Sequence, residues 1–326
     1  MANVYSKSYL QSCPEMQEIS QTVLFDRLLP QVDSLAQGRC SVNVFELNCA
    51  IAMDFISAHL FGLSNSTNFI QDSKYRQHWM GLWRARRLYP FWSGELRGVR
   101  AILSKLGVRF EPEHVAPMTG EIQGWCQDMC RAADKEIATH KVASTSPKVY
   151  KQVSEGWEKA SSLVERALPP QPPDLSVASE MLDALLAGQE GTAITLTYVM
   201  HCLSQRPALQ ISLREELLSI SPNLRRESNA ESRLDLPSPR SIDALPLLHS
   251  IVMETLRIHG PLAGPQPRVT PHNPMTPTKL GDYSNIPSGV RVSAAVHVLH
   301  RNPTVFPEPE AWKPERWLNP ARIRRK

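Results

Sequence analysis

Glu254 and Arg257, three residues apart, are the first candidates for chemistry in this 326-residue chain. On a helix, an acid and a base at that spacing share a face and can pair. The surrounding pattern puts the pair outside. Leu248, Ile251, Val252, Thr255 and Leu256 make an apolar side, and Glu254 and Arg257 point roughly away from it. An exposed pair of this kind is worth about 0.2–1 kcal/mol. A second candidate is Ala187-Gly188-Gln189-Glu190-Gly191-Thr192, inside a long helical pattern. Each glycine there costs about 1 kcal/mol relative to alanine. The two glycines therefore mark either a groove or kink or a close packing contact with a neighbouring helix, and the residues do not choose between these. His297 and His300 are three apart but have no third ligand, so a structural role is expected.

The six cysteines are Cys13, Cys40, Cys49, Cys126, Cys130 and Cys202. Cys126 and Cys130 lie four apart in a helical pattern, with no second His/Cys pair to complete a zinc site. The spacing is too sparse for a disulfide framework, so reduced, mostly buried thiols of an intracellular protein are expected. No nucleophile elbow, zincin motif, Walker loop or dinucleotide-binding glycine motif occurs.

These residues need a scaffold. The chain is 42% apolar and 21% charged, which predicts a sizeable core. A formal charge of +4 with scattered basic residues argues against a nucleic-acid surface. The start is polar, without the apolar stretch of a signal peptide. No uninterrupted apolar run approaches the length of a membrane span.

Apolar spacing predicts helices over 24–35, 42–63, 118–140, 177–205, 208–220 and from 242 or 245 to 258. Residues 143–175, ending in Pro169-Pro170-Gln171-Pro172-Pro173, and 221–241 read as polar loops. From residue 261 the chain turns Pro- and Gly-punctuated, with Ile286-Pro287-Ser288-Gly289-Val290 a turn feeding a strand. Helices first and a small β region afterwards mean a mainly α, α+β fold. There are no internal repeats.

Five segments in order, METLRIHGP, GPQPRVT, IPSGVRV, HRNPTVFPEP and KPERWL, resemble the C-terminal half of the cytochrome P450 family in its fungal branch. Weaker resemblance runs upstream through DFISAHLFG to the first residues. It implies a partial P450 domain over 1–326, the fold incomplete, without the family's anchor and first helices and without its haem-binding cysteine loop.

By resemblance, Glu254, Arg257 and Arg316 are the family's structural knot of one carboxylate between two arginines, a rigid charge-assisted arrangement. Arg268 resembles the arginine that meets a haem propionate, and Gly188 lies in the segment that crosses the haem. Glu190 and Thr192 resemble the acid and alcohol that deliver protons to bound oxygen. The family's alcohol directly follows the acid; here Gly191 stands there and the alcohol comes one residue late, about 100° further round the helix. The family's Phe-x-x-Gly-x-x-x-Cys-x-Gly loop is not matched. Cys40 comes nearest, after Gly38-Arg39, without the Phe or the following glycine.

The implied cofactor is haem, and the implied activity is oxidation of a small apolar molecule in fungal secondary metabolism. Electrons would come from NADPH-cytochrome reductase at the endoplasmic reticulum membrane, and no nucleic-acid partner is expected. With no thiolate ligand in these residues, catalysis by this chain alone is not expected. The alternatives are a non-catalytic binding or interaction protein and a functionless P450 remnant.

Overall fold

The computed structural model describes residues 2–86, 89, 96–108, 111–139, 146–164, 173–222, 235–271 and 278–318. The Pro169–Pro172 part of the expected loop and the basic tail Arg322–Lys326 lie outside them. The chain divides into two units. One is Met1–Ala193 with Leu224–Ser238; the other is Ile194–Asn223 with Pro239–Lys326.

In the first unit, helices α1 (Lys7–Ser12) and α2 (Pro14–Gln21) lead through a π-helical stretch, Thr22–Leu28, into α3 (Leu29–Gln37). Helix α4 (Val44–Phe61) is the centre of this unit. Asn43 caps it by accepting from the Glu46 N–H, and Gly62 ends it at φ +80°. By length and composition α4 could cross a membrane, yet ten of its residues are buried in the unit, Asp54 among them.

The unit also holds α5 (Ser73–Arg86), α6 (Arg97–Lys105), α7 (Val115–Ala138), α8 (Lys148–Val164) and the first part of α9 (Pro173–Ser204), of which α7, α8 and α9 pack on α4. Met53, Phe61, Phe69, Trp79, Ile122, Met181 and Leu185 fill the core. Helix α8 corrects the sequence reading, which made 143–175 a loop. Val149, Tyr150 and Val153 are buried at helical spacing, with Trp157 packed beside them. That stripe is short and set among Lys, Gln, Ser and Glu, which hid its period.

The second unit holds the rest of α9, then α10 (Pro207–Leu218), α11 (Pro239–Asp243) and α12 (Pro246–Ile258). Proline opens α10, α11 and α12, where its missing N–H costs nothing. The Glu216 carboxylate of α10 accepts from the Leu247 and Leu248 N–H groups at 2.7 and 2.9 Å and so caps α12. The β region has two antiparallel pairs. Strand β1 (Gln266–Val269) pairs with β4 (Arg291–Ala294), Arg268 opposite Val292; β2 (Thr278–Leu280) pairs with β3 (Tyr283–Ile286). The expected turn before β4 is present, with Gly289 at φ +78°. Helix α13 (Val296–Leu299) follows, and a 3-10 turn at Pro314–Arg316 closes the described chain. The architecture is mainly α with a small β region near the C-terminus, as expected.

Gly188 of α9 lies against Ile56 of α4. A Cβ built on Gly188 would stand 2.8 Å from Ile56 Cγ1. Of the two roles open to this glycine, close helix packing is the one with a contact behind it. Gly188→Ala should therefore destabilise the protein by about 1–3 kcal/mol in denaturant unfolding. In an Ile56→Ala background the same change should become neutral or stabilising, by up to about 1 kcal/mol, because alanine is the better helix former. A stabilising Gly188→Ala in the parent would contradict the contact.

Candidate functional site

The most developed polar arrangement among the described residues is built on Glu254, which is fully buried. Arg257 reaches its two carboxylate oxygens from one turn further along α12, Nε to Oε2 and Nη2 to Oε1, both at 2.9 Å. The Lys313 N–H donates to Oε1 at 2.8 Å, Arg316 Nε to Oε1 at 3.1 Å, and the Trp317 indole to Oε2 at 2.9 Å. Five donors thus satisfy one carboxylate. Burial alone would raise the Glu254 pKa. The Arg257 guanidinium, the Lys313 amide and the Trp317 indole outweigh that, and the net displacement is downward.

The arginines spend their remaining donors on the loop that returns to the knot. Arg257 Nη1 donates to the His300 and Pro309 carbonyls, both at 2.8 Å, and its guanidinium lies 5.0 Å from the Phe306 ring. Arg316 Nη2 donates to the Glu308 carbonyl at 2.7 Å. Beside the knot, the Trp312 indole donates to Thr255 Oγ1 at 3.0 Å, and Arg206 holds the Trp312 carbonyl at 2.8 Å. The arrangement has no free nucleophile and no titratable group open to a ligand. Its chemistry is structural: it ties α12 to the chain sixty residues later.

The sequence brought Glu254 and Arg257 together but placed them outside, where the structure buries their side chains to 0% and 1% exposure. The helical period failed here because α12 is covered on its polar side by residues 300–317. Trp312, Trp317 and the Lys313 amide were missed as partners. The signal was available in the aromatic pair that brackets Lys313–Arg316.

Arg268 is exposed on β1, and the contact the structure gives it is from Nη1 to the neighbouring Pro267 carbonyl at 2.7 Å. Glu190 is half-buried and lines a cleft with Phe45, Cys49, Met80, Trp83, Arg84 and Gln189. Thr192, two residues or about 200° further round the helix, is exposed. Helix α9 therefore does not present the acid and the alcohol on one face. His297 Nδ1 accepts from Arg301 Nη1 at 3.0 Å. No set of three metal-ligating side chains is found among the described residues.

A sequence model described as Cytochrome P450 matches residues 160–326, just over half of the chain and including the whole knot. The chain belongs to the cytochrome P450 family. It is 29% identical over 328 aligned positions to the cytochrome P450 monooxygenase avaI of Aspergillus versicolor, covering 98% of this chain and 68% of that relative. It is 36% identical over 154 positions to the cytochrome P450 monooxygenase hkm5 of Aspergillus hancockii, covering 45% of this chain and 27% of the relative. With macH of Penicillium terrestre the identity is 27% over 309 positions, 90% of this chain and 53% of the relative. The chain thus spans from about a quarter to about two thirds of these P450 monooxygenases.

The P450 family implies haem, and the described residues fit it in one part only. Arg268 offers an exposed guanidinium that a propionate could take. A thiolate ligand is another matter. Cys49 is buried, and burial together with the nearby Glu190 carboxylate pushes its thiol up to about 12. The hydrogen bond with Cys126 and burial raise Cys130, burial and Glu15 raise Cys13, and burial raises Cys202. Burial of this kind disfavours the thiolate while no metal is bound, and none of the six cysteines stands in the family's cysteine-loop context. No step through iron follows from these cysteines.

Glu254→Ala would strand two guanidiniums and should cost about 3–5 kcal/mol in denaturant unfolding. An effect within about 0.5 kcal/mol of parent, as for an exposed side chain, would contradict a buried knot. The pH dependence has a fixed sign. The folded carboxyl lies below its ordinary value of 4.5, so its stabilisation is complete above that value and is lost as the pH falls through the folded one. Between pH 5 and 3, parent stability should fall more steeply than that of Glu254→Gln, followed by thermal unfolding.

Proposed function

We propose that residues 1–326 are the central part of a fungal-type haem-thiolate monooxygenase that oxidises a small apolar molecule in secondary metabolism. The observation that carries this reading is the Glu254–Arg257–Arg316 knot inside the segment that matches the P450 family. The relatives' printed names, P450 monooxygenases of Aspergillus and Penicillium, support the reaction class and the fungal setting.

In this reading each group has a bounded task. Haem, when bound, supplies oxygen activation. Arg268 holds a propionate by charge and by its forked donors. Glu190 handles protons from the α9 face that lines the cleft, while Thr192 faces elsewhere and contributes little. The knot does no bond chemistry; it fixes the position of the chain after α12, from which the ligand-bearing loop of the family departs. The axial thiolate comes from a cysteine outside the six in this sequence. Electrons come from a redox partner, with NADPH-cytochrome reductase at the endoplasmic reticulum as the fungal arrangement.

The test is a reduced, carbon-monoxide difference spectrum after incubation with haemin. Residues 1–326 by themselves should give no long-wavelength Soret band. The same residues joined to a Phe-x-x-Gly-x-x-x-Cys-x-Gly segment read on from the coding region should give it. A band from residues 1–326 would overturn the assignment of the six cysteines, and none from the longer product would contradict the haem-thiolate reading.

A further inference from the structure

Helix α6, with the turn that closes it, leaves most of its apolar side chains in water. Val99, Ile102, Leu106 and Val108 are 45%, 61%, 70% and 51% exposed, and Leu96 at the N-cap is exposed as well. Successive helical residues lie about 100° apart, which puts Val99, Ile102, Leu103 and Leu106 in one stripe. Arg100 and Lys105, both exposed, fall on the two borders of that stripe, and exposed Ser104 lies opposite it. From Leu96 to Val108 the sequence holds three basic residues, Arg97, Arg100 and Lys105, and no acidic one.

The C-terminus of α6 is closed by its own backbone. The Val108 N–H donates to the Leu103 carbonyl at 2.9 Å and the Gly107 N–H to the Ser104 carbonyl at 3.2 Å, with Gly107 at φ +70°. This Schellman closure brings residue 108 back to residue 103 and so extends the stripe beyond the helix. Other exposed apolar side chains are differently placed. Ile211, Leu217 and Leu218 of α10 share their helix with Arg214, Glu215 and Glu216. Leu280 and Tyr283 of the β2–β3 pair lie beside Lys279 and Asp282, a charge of each sign. Scattered exposure of that kind needs no partner. An apolar stripe bordered by cations, with no carboxylate near it in sequence, is the pattern of a helix that lies in a bilayer interface.

We propose that α6 and its closing turn dock the first unit on the surface of an anionic lipid bilayer. Val99, Ile102, Leu106 and Val108 enter the boundary between headgroups and acyl chains. Arg100 and Lys105 lay their stems along that boundary and keep their charges among the anionic headgroups. A protein groove would have to match the stripe and also supply acids on both of its sides. A layer of anionic headgroups supplies negative charge on every side of a helix lying in it. Because few side chains enter, the contact is peripheral and reversible and needs no segment that crosses the membrane. It also needs neither haem nor a bound substrate.

The experiment is co-sedimentation of the 326-residue chain with vesicles of phosphatidylcholine mixed with phosphatidylserine, and with vesicles of phosphatidylcholine alone. The parent should bind the mixed vesicles, more weakly as salt rises, and should bind phosphatidylcholine alone far less. Ile102→Ser with Leu106→Ser, and separately Arg100→Gln with Lys105→Gln, should each lower the affinity for mixed vesicles by about tenfold or more. Leu280→Ser with Tyr283→Ser, which removes exposed apolar surface elsewhere, should bind as the parent does. Thermal midpoints of all three double variants should match the parent, since the side chains changed are exposed. No binding by the parent, equal binding to both kinds of vesicle, or an equal loss in the Leu280→Ser, Tyr283→Ser protein would overturn the proposal. So would a midpoint several degrees lower in Ile102→Ser with Leu106→Ser, which would place the stripe inside the fold. A parent dimer that the same variant dissociates, seen by sedimentation velocity, would make the stripe a contact between two copies and would overturn it too. Failure of the haem reading shows in the carbon-monoxide spectrum and leaves this assay unaffected.

Discussion

A carboxylate taken wholly out of water must be met by donors on every side, and Glu254 sets that requirement for the second unit. Five donors meet it, and they come from α12 itself and from residues 313–317. Because the two groups of donors are about sixty residues apart, the long returning chain is held to α12 through this one side chain. The carbonyls of His300, Glu308 and Pro309 then satisfy the outer faces of the arginines. The 296–317 region carries little regular structure, so these contacts, with Trp312 against Thr255, do the positioning that a sheet or helix would do elsewhere.

The first unit has its own buried carboxylate, with a different balance of burial and donors. Asp54 of α4 accepts from Thr67 Oγ1 and the Phe69 N–H at 2.7 Å and from the Ile70 N–H at 3.2 Å, with Arg27 3.5 Å away. It lies deeper in its unit than Glu254 does, and there burial wins: its pKa is raised. Around Asp54, deeper burial outweighs neutral donors and one arginine at 3.5 Å; around Glu254, lesser burial is outweighed by a guanidinium in two-point contact together with the Lys313 amide and the Trp317 indole. Asp54 also accounts for α4, a helix apolar enough to cross a membrane but pinned among core residues through this carboxylate.

The long, strongly periodic elements were legible in the sequence. Helix α9 was expected over 177–205 and runs Pro173–Ser204, and the turn before β4 is where Gly289 put it. Helix α8 was not, because its stripe of Val149, Tyr150, Val153 and Trp157 lies among polar residues. The knot was legible in a divided way. Periodicity gave the pairing of Glu254 with Arg257 but put it in water, since a period reports only a helix's own faces and not what a distant segment lays over them. Arg316 entered through resemblance to the P450 family, not through spacing. Asp54 and the Glu216 cap had no sequence signal, as each depends on tertiary neighbours.

The knot is the feature of the second unit most dependent on correct charge placement. Its central claim is that Glu254 stays ionised while fully buried. The direct measurement is a carbon-13 NMR titration of the Glu254 carboxyl in the 326-residue chain, assigned by comparison with Glu254→Gln. A titration midpoint below the ordinary glutamate value of 4.5 is predicted. A midpoint at or above it would mean that burial prevails over the arginines, and the account of how α12 holds the returning chain would be wrong.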